Sequence, residues 1–130
     1  MAKRALADSS FYIHRMRSRL DPFAELEEAA DEWEILTCGV VMTEVLRGMQ
    51  HEKARDRMQK AMDCMIYVPT LNAVWQRVAK LAWELDRKGL PMQVTDLLIA
   101  ACALEADAAV LTLDSDFRRV PGLAVVPKLF

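Results

Sequence analysis

The 130-residue chain has few of the residues that build disulfide frameworks and histidine-rich metal centres. Its three cysteines are odd in number, widely spaced and outside any CxxC pattern, which indicates neither a disulfide framework nor a zinc site. We therefore expect Cys38, Cys64 and Cys102 to be small buried hydrophobes. The two histidines, His14 and His51, are too few for a histidine-rich metal site and argue against a Cys/His nucleophilic pair.

Long apolar runs are also missing. No stretch reaches the roughly 18 to 20 apolar residues of a membrane helix, and the N-terminal MAKRALADSS lacks the apolar core of a signal peptide. We therefore expect a soluble, cytoplasmic protein with no membrane partner. Glycine and proline are few and fall singly between periodic segments, and 53% of the residues are hydrophobic. Residues 1–130 are thus predicted to form a single domain with a real core.

The net charge of −2 at pH 7 is distributed unevenly. Residues 11–20 contain three arginines and no acid, whereas residues 21–34 contain seven acids and no base. A basic rim for a polyanion beside an acidic helix is one explanation. Two solvated faces of opposite sign are the simpler explanation, which we favour on charge alone.

Hydrophobic periodicity predicts short strands alternating with helices. The predicted strands are residues 4–7, 35–38, 66–68, 109–113 and 123–126. The predicted helices are residues 10–17, 22–33, 41–48, 52–64, 70–88 and 94–106. Asp21 and Thr70 are the expected N-caps of helices 22–33 and 70–88, and Gly48 and Gly89 are expected to end helices 41–48 and 70–88. This alternation predicts a three-layer α/β/α domain with a short, parallel-rich central sheet.

Acids from four distant segments fall near the ends of predicted strands. Asp8 follows the first strand, Glu44 lies in the helix entered from the second, and Asp114 and Asp116 follow the fourth. Asp96 begins the most apolar helix of the chain. Because ligands bind beyond the carboxyl ends of the strands in such sheets, these acids could meet at one edge.

Several carboxylates at one edge would repel each other and raise their pKa values unless a cation neutralised them. Oxygen ligands without His or Cys partners favour Mg²⁺ or Mn²⁺ over zinc. Such ions activate water and stabilise the charge that develops on a phosphodiester, so the pattern indicates a nuclease. Each acid taken alone is better explained as a turn residue or a first-turn helix acid, so the inference depends on the whole set.

The segments around these acids resemble the motifs of PIN domains. Residues 6–13 (LADSSFYI) are similar to the opening strand and turn, and residues 43–48 (TEVLRG) to the second acidic motif. Residues 96–101 (DLLIAA) and 111–117 (LTLDSDF) are similar to the last two motifs. All four occur in family order and spacing over nearly the whole chain, and they look most like the VapC-type toxins of toxin–antitoxin modules.

The resemblance implies a PIN-like fold and an Mg²⁺- or Mn²⁺-dependent endoribonuclease. It carries over the metal ligands and catalytic residues Asp8, Glu44, Asp96 and Asp116. Asp114 is a further candidate metal ligand, and which of the two acids around Ser115 is the principal ligand stays open. The resemblance also implies a homodimer and a cognate antitoxin whose C-terminal segment wraps the toxin and inhibits it.

Residues next to the acids are candidates for supporting roles. Ser10 and Thr112 could hydrogen-bond to carboxylates or metal-bound water, although helix capping and strand propensity also explain them. Simple solvation is the simpler explanation for any single arginine in this region. Five arginines are nevertheless candidate contacts to RNA phosphates: Arg15, Arg17, Arg47, Arg118 and Arg119.

Three other classes of protein were weighed against a nuclease. A receiver domain needs a Lys after a late strand, and none follows the strand that ends before Asp114. Phosphatases of the haloacid dehalogenase type carry an Asp-x-Asp pair after their first strand, whereas Asp114 and Asp116 follow a late one. The serious alternative is a non-catalytic PIN-like module that binds RNA or protein.

Overall fold

The computed structural model describes residues 2–130, which contain five strands, six α-helices and one 3₁₀ helix. The strands are β1 (Lys3–Ala7), β2 (Trp33–Cys38), β3 (Ile66–Val68), β4 (Ala109–Leu111) and β5 (Val125–Val126). The helices are α1 (Ser9–Arg17), α2 (Pro22–Glu28), α3 (Gly39–Arg47), α4 (Glu52–Asp63), α5 (Asn72–Arg87) and α6 (Val94–Glu105). The 3₁₀ helix spans Ser115–Arg119.

The strands form one sheet in the order β3-β2-β1-β4-β5, and every pair of neighbours is parallel. Helices flank this sheet, so the predicted α/β/α architecture is confirmed. Because the strands are parallel, their carboxyl ends lie at the same edge, where α1 and α3 begin directly after β1 and β2. This edge collects the residues that follow the strands.

Helix α6 forms the centre of the core. Seven consecutive residues, Leu97 to Ala103, are buried, and the helix contacts β1 and β4. Three of the seven are alanines, whose small side chains allow the helix to approach the sheet closely. The most apolar helix of the sequence is thus buried in the structure. A charged residue such as Asp96 is unusual in the first turn of a buried helix.

The observed helix boundaries differ from the prediction by two residues or more in three places. Helix α2 ends at Glu28 rather than at residue 33, because Trp33 pairs with Lys3 and so begins β2. Helix α3 begins at Gly39, two residues before its predicted start. Helix α5 begins at Asn72 with Leu71 as N-cap, so the prediction of Thr70 as N-cap is wrong.

The carboxyl-terminal strands are also shorter than predicted. Strand β4 ends at Leu111 and β5 is confined to Val125–Val126. The chain leaves the sheet after Leu111 because the Asp114 N–H bonds to the Thr112 hydroxyl and a 3₁₀ helix follows. Sequence periodicity did not predict this short helix.

The cysteine prediction holds for two of the three residues. Cys38 and Cys102 are buried and not joined in disulfides, but Cys64 is exposed, so its predicted burial is wrong. Helix α4 buries Met58 and Met62, which are four residues apart and share one face. Cys64 follows Met62 by two residues, so it lies off this face at the end of the helix. There its thiol donates to the Lys60 carbonyl at 3.4 Å.

None of the helices within residues 2–130 combines the length and the apolar character needed to cross a membrane.

Candidate active site

Asp8 is the first acid of the carboxyl edge and is buried at the end of β1, with 3% of its surface exposed. It caps α1 by accepting the Phe11 N–H at 3.1 Å. The Ser10 hydroxyl donates to both carboxylate oxygens at 2.7 and 2.9 Å, and the Thr112 hydroxyl donates to Oδ2 at 2.7 Å. Ser10 and Thr112 therefore fix the orientation of this carboxylate from opposite ends of the sequence.

The ionised form of Asp8 is nevertheless disfavoured. Burial raises its pKa above the ordinary value, and the charge of Asp114 adds to this effect. The hydrogen bonds from Ser10, Thr112 and the Phe11 N–H act in the opposite direction but do not cancel the burial. Asp8 is thus a buried acid whose charge would be favoured by a nearby cation.

Glu44 reaches the same place from α3. The Ser9 hydroxyl donates to Glu44 Oε1 at 3.2 Å, while the adjacent Ser10 holds Asp8. Helices α1 and α3 are in contact, so this bond joins two packed elements. Two neighbouring serines at the start of α1 therefore connect the first and second predicted acids.

Asp96 is half-buried in the first turn of α6. The charges of all the other predicted acids affect its pKa. Its pKa is raised to about 6, first by burial and then by the negative charges of Asp114, Asp8, Glu44 and Asp116. Hydrogen bonds through Ser9, Ser10 and Thr112 link Asp8, Glu44 and the Asp114 backbone at one edge of the sheet. The charges of these acids act on Asp96 at the start of α6.

Asp114 and Asp116 differ in their surroundings. Asp114 Oδ1 accepts the Asp116 N–H at 2.9 Å and so caps the 3₁₀ helix, and its own N–H donates to Thr112. Asp116 forms an ion pair with Arg119, whose Nη2 lies 3.2 Å from Oδ1. Asp114 raises the pKa of both Asp8 and Asp96, whereas Asp116 contributes least of the four acids acting on Asp96. Asp114 is thus the acid more closely associated with the others.

Comparison with known proteins shows the family of this chain. The family model for the PIN domain matches residues 5–123. This chain belongs to the PIN domain family. It is 30% identical over 128 residues to the ribonuclease VapC4 of Mycobacterium tuberculosis, a match that covers 95% of this chain and 96% of that protein.

Solved structures show the same fold at lower identity. VapBC2 from Rickettsia felis, bound to a DNA fragment from its promoter, is 22% identical with a TM-score of 0.77, and 95% of this chain and 97% of that chain are covered. A toxin–antitoxin complex from Klebsiella pneumoniae is 21% identical with a TM-score of 0.73, and the coverage is 95% and 97%. At these identities the likeness concerns the fold of this PIN domain.

The five candidate arginines of the PIN domain fall into two groups. Arg15 is held by Glu25, with Nε–Oε2 at 3.0 Å and Nη2–Oε1 at 3.2 Å, and Arg119 is held by Asp116 and the Pro91 carbonyl. These guanidinium groups already have partners in the protein. The other three are exposed: Arg17, Arg47 and Arg118.

Two further residues lie near the acids, and one of them, His14, was not predicted to belong to the site. Ser9 adjoins Asp8 in the sequence and could therefore be expected to hydrogen-bond to a carboxylate, and it bonds to Glu44. His14 lines the same groove as Ser10 and Asp114. Its spacing of four residues from Ser10 places both on one face of α1, a signal that helical periodicity could have supplied.

The side chains of this edge suit a hard divalent cation, although they do not form a closed cage. Within residues 2–130, no group of three or more His, Cys, Asp or Glu side chains is arranged to hold a metal ion. Mg²⁺ does not require such a group, because it is usually bound through one or two carboxylates while water and substrate phosphates complete its shell. Oxygen donors are provided by Asp8, Glu44 and Asp96. In the described part of the chain, the one ion pair to any of the five candidate acids, which also include Asp114 and Asp116, is Arg119–Asp116.

Proposed function

We propose that this PIN domain is a metal-dependent endoribonuclease that hydrolyses RNA phosphodiester bonds. The observation that carries the proposal is the chain of hydrogen bonds through Ser9, Ser10 and Thr112 that links Asp8, Glu44 and the Asp114 backbone at the carboxyl edge of the sheet. Similarity to a protein named ribonuclease VapC4 along 95% of the chain supports RNA as the substrate. Residues 1–130 would act as a single nuclease domain.

The proposed division of roles follows from the contacts of each side chain. Asp8, Glu44, Asp96 and Asp116 would hold Mg²⁺ or Mn²⁺, together with Asp114. When bound, the ion would supply an activated water and stabilise the negative charge that develops on the phosphodiester. Ser10 and Thr112 orient Asp8, and Ser9 orients Glu44.

The exposed arginines would bind the RNA backbone. Arg17, Arg47 and Arg118 would contact phosphates by charge, which positions the strand without reading its sequence. Arg47 lines a separate cavity of about 440 Å³ between α3 and α4, together with Arg55 and Tyr67. Arg15 and Arg119 would contribute by holding neighbouring residues in place rather than by contacting RNA.

We further propose that the protein is the toxin of a cytoplasmic toxin–antitoxin pair. The solved toxin–antitoxin complex from Klebsiella pneumoniae has the same fold, which supports a cognate antitoxin protein as a partner. A homodimer would bury an apolar surface that is otherwise exposed on α5. Leu71, Trp75 and Trp83 are 65%, 46% and 60% exposed and lie four and eight residues apart, on one side of this helix.

Cleavage of RNA tests the enzymatic proposal. The full chain, purified without a partner, is incubated with a panel of structured RNAs in EDTA, Mg²⁺ or Mn²⁺. We expect cleavage only with a divalent cation, and a loss of about 100-fold or more for Asp8→Asn, because this substitution removes a buried ligand charge. The matched control is Asp31→Asn, an exposed acid outside the site, which should cleave like the wild type.

One observation favours the alternative of a non-catalytic binding module. The carboxylates do not form a group of three that could hold a metal within the part of the chain that the structure describes. RNA binding by a folded protein that cleaves nothing in either metal would support that alternative. Cleavage that persists in EDTA or in Asp8→Asn would contradict the metal-dependent mechanism.

A further inference from the structure

A groove of about 500 Å³ runs along α1 and opens beside the acids. This volume lies within the usual range of ligand clefts. One end holds the serines that bond to Asp8 and Glu44, and Leu113 forms part of its wall. We call it the α1 groove, and its lining comprises Ser9, Ser10, Ile13, His14, Arg17, Ser18, Leu113 and Asp114.

Charge changes sign along this groove. The acids lie at the Ser9 and Ser10 end, whereas residues 11–20 contain three arginines and no acid. Arg17 is seven residues from Ser10, or about 10 Å along the helix axis. A strand whose scissile phosphate lies at the acids would therefore place another phosphate near Arg17 within about three nucleotides.

His14 is fixed in an orientation that leaves a donor available. Arg15 Nη1 lies 3.3 Å from His14 Nδ1, and because a guanidinium has no acceptor, Arg15 donates and Nδ1 accepts. A neutral imidazole then carries its proton on Nε2, which can donate to a phosphate or a base oxygen. Glu25 holds Arg15 through two hydrogen bonds, so α2 positions His14 through Arg15.

Two side chains of the groove lining are apolar, one on each side. Leu113 is 48% exposed and stands between Thr112 and Asp114, which both belong to the acidic edge. Ile13 is half-buried on the α1 side. A base that is unpaired can lie against such side chains, whereas a base in a duplex cannot.

We propose that the α1 groove is the subsite that binds the RNA strand adjoining the scissile phosphate. Arg17 contacts a phosphate, His14 donates a hydrogen bond through Nε2, and Leu113 packs against an unpaired base. The proposal rests on the proposed function, which supplies RNA as the ligand and places the scissile phosphate at the acids. Arg15, which we predicted from sequence to contact RNA, acts in this arrangement as a positioning residue for His14.

The test measures RNA binding separately from RNA cleavage. Fluorescence anisotropy of a labelled, unstructured RNA of about ten nucleotides is recorded in EDTA at several salt concentrations. We expect Arg17→Ala to weaken binding about fivefold and to lower the slope of log affinity against log salt by about 0.7. Leu113→Ala should weaken binding about threefold without changing that slope, because it removes only apolar contact.

His14 is tested with two substitutions. His14→Ala should weaken binding about fivefold, and His14→Gln should recover part of the loss because its amide can donate a hydrogen bond. Controls are Arg57→Ala, which removes an exposed charge on α4, and Leu90→Ala, which trims an exposed leucine outside the groove. Circular dichroism spectra establish that each variant is folded.

The outcomes separate this inference from the enzymatic proposal. If the wild type cleaves RNA but the groove variants bind and cleave like the controls, the α1 groove is not the subsite and the nuclease proposal stands. If no RNA is cleaved but binding weakens in the pattern described, the groove is supported and the enzymatic proposal fails. If Arg57→Ala weakens binding as much as Arg17→Ala, binding is a general effect of charge and the inference is overturned.

Discussion

Asp96 has the most unfavourable ionisation among the acids of the candidate site. Its raised pKa of about 6 results from burial and from four neighbouring negative charges. Folding therefore favours protonation of Asp96, and the stability of the metal-free protein falls as the pH rises from about 4 towards 6. The repelled charge of Asp96 thus lowers the stability of the metal-free protein, and a bound cation would favour that charge.

Replacing Asp96 by asparagine should stabilise the metal-free protein. At pH 7.5 we expect Asp96→Asn to raise the free energy of unfolding by about 1 to 2 kcal/mol, because a repelled charge becomes a neutral isostere. The gain should vanish below about pH 3, where Asp96 is protonated in both the folded and the unfolded wild type. Urea unfolding in EDTA at the two pH values measures the difference.

The same variant should respond weakly to metal. Addition of Mn²⁺ should stabilise the wild type more than Asp96→Asn, because a ligand that binds only the folded state adds stability in proportion to its affinity. Asp31→Asn, at an exposed position, should behave like the wild type. Destabilisation of Asp96→Asn at pH 7.5 in EDTA would instead assign Asp96 a structural role.

At the scale of elements, the segment after β4 determines how two acids are presented. Thr112 joins Asp8 to the Asp114 backbone, and Asp114 caps the 3₁₀ helix that carries Asp116. The ion pair with Arg119 then partly neutralises Asp116. This geometry favours Asp114 as the stronger partner of Asp8 and Asp96, whereas the family resemblance favours Asp116.

Two neutral variants distinguish these acids. Asp114→Asn should lower the affinity for Mn²⁺ about 10-fold or more, whereas Asp116→Asn should lower it less, since Asp114 acts on both Asp8 and Asp96. The asparagine at position 114 retains an oxygen that can cap the 3₁₀ helix, so the fold should persist. Isothermal titration calorimetry measures both affinities, and a larger loss for Asp116→Asn would reverse the assignment.

The parallel sheet explains which features the sequence could predict. Strands that alternate with helices bring strand ends to one edge, so the sequence could predict that Asp8 and Asp114, which follow β1 and β4, lie at the same edge. The end of α2 could not be predicted, because the pairing of Trp33 with Lys3 decides it. Contacts between distant segments are not encoded in local periodicity.

The roles of individual side chains were harder to predict for the same reason. Arg15 was a candidate for RNA binding, but Glu25 on α2 occupies its guanidinium. His14 gained significance only when residues 113 and 114, a hundred positions later in the chain, formed the other side of the groove. Such roles depend on tertiary neighbours, whereas the acids that follow strands, Asp8 and Asp114, could be identified from the sequence alone.

At the scale of the whole molecule, the exposed face of α5 predicts self-association. Sedimentation of the isolated protein at micromolar concentration should show a dimer, and Trp75→Glu should shift it towards the monomer, because a charge replaces an aromatic residue at an apolar contact. Leu20→Glu, a similarly exposed position in the turn before α2, should remain dimeric. A monomeric wild type would contradict the proposed homodimer.

The most direct measurement of the central claim is anomalous diffraction from crystals of the protein soaked in Mn²⁺. We predict a manganese peak at the carboxyl edge of the sheet, in contact with Asp8 and at least one of Glu44, Asp96 and Asp114. We predict no such peak in crystals of Asp8→Asn. An edge without manganese under saturating conditions, in crystals that remain ordered there, would contradict the claim that these acids share a cation.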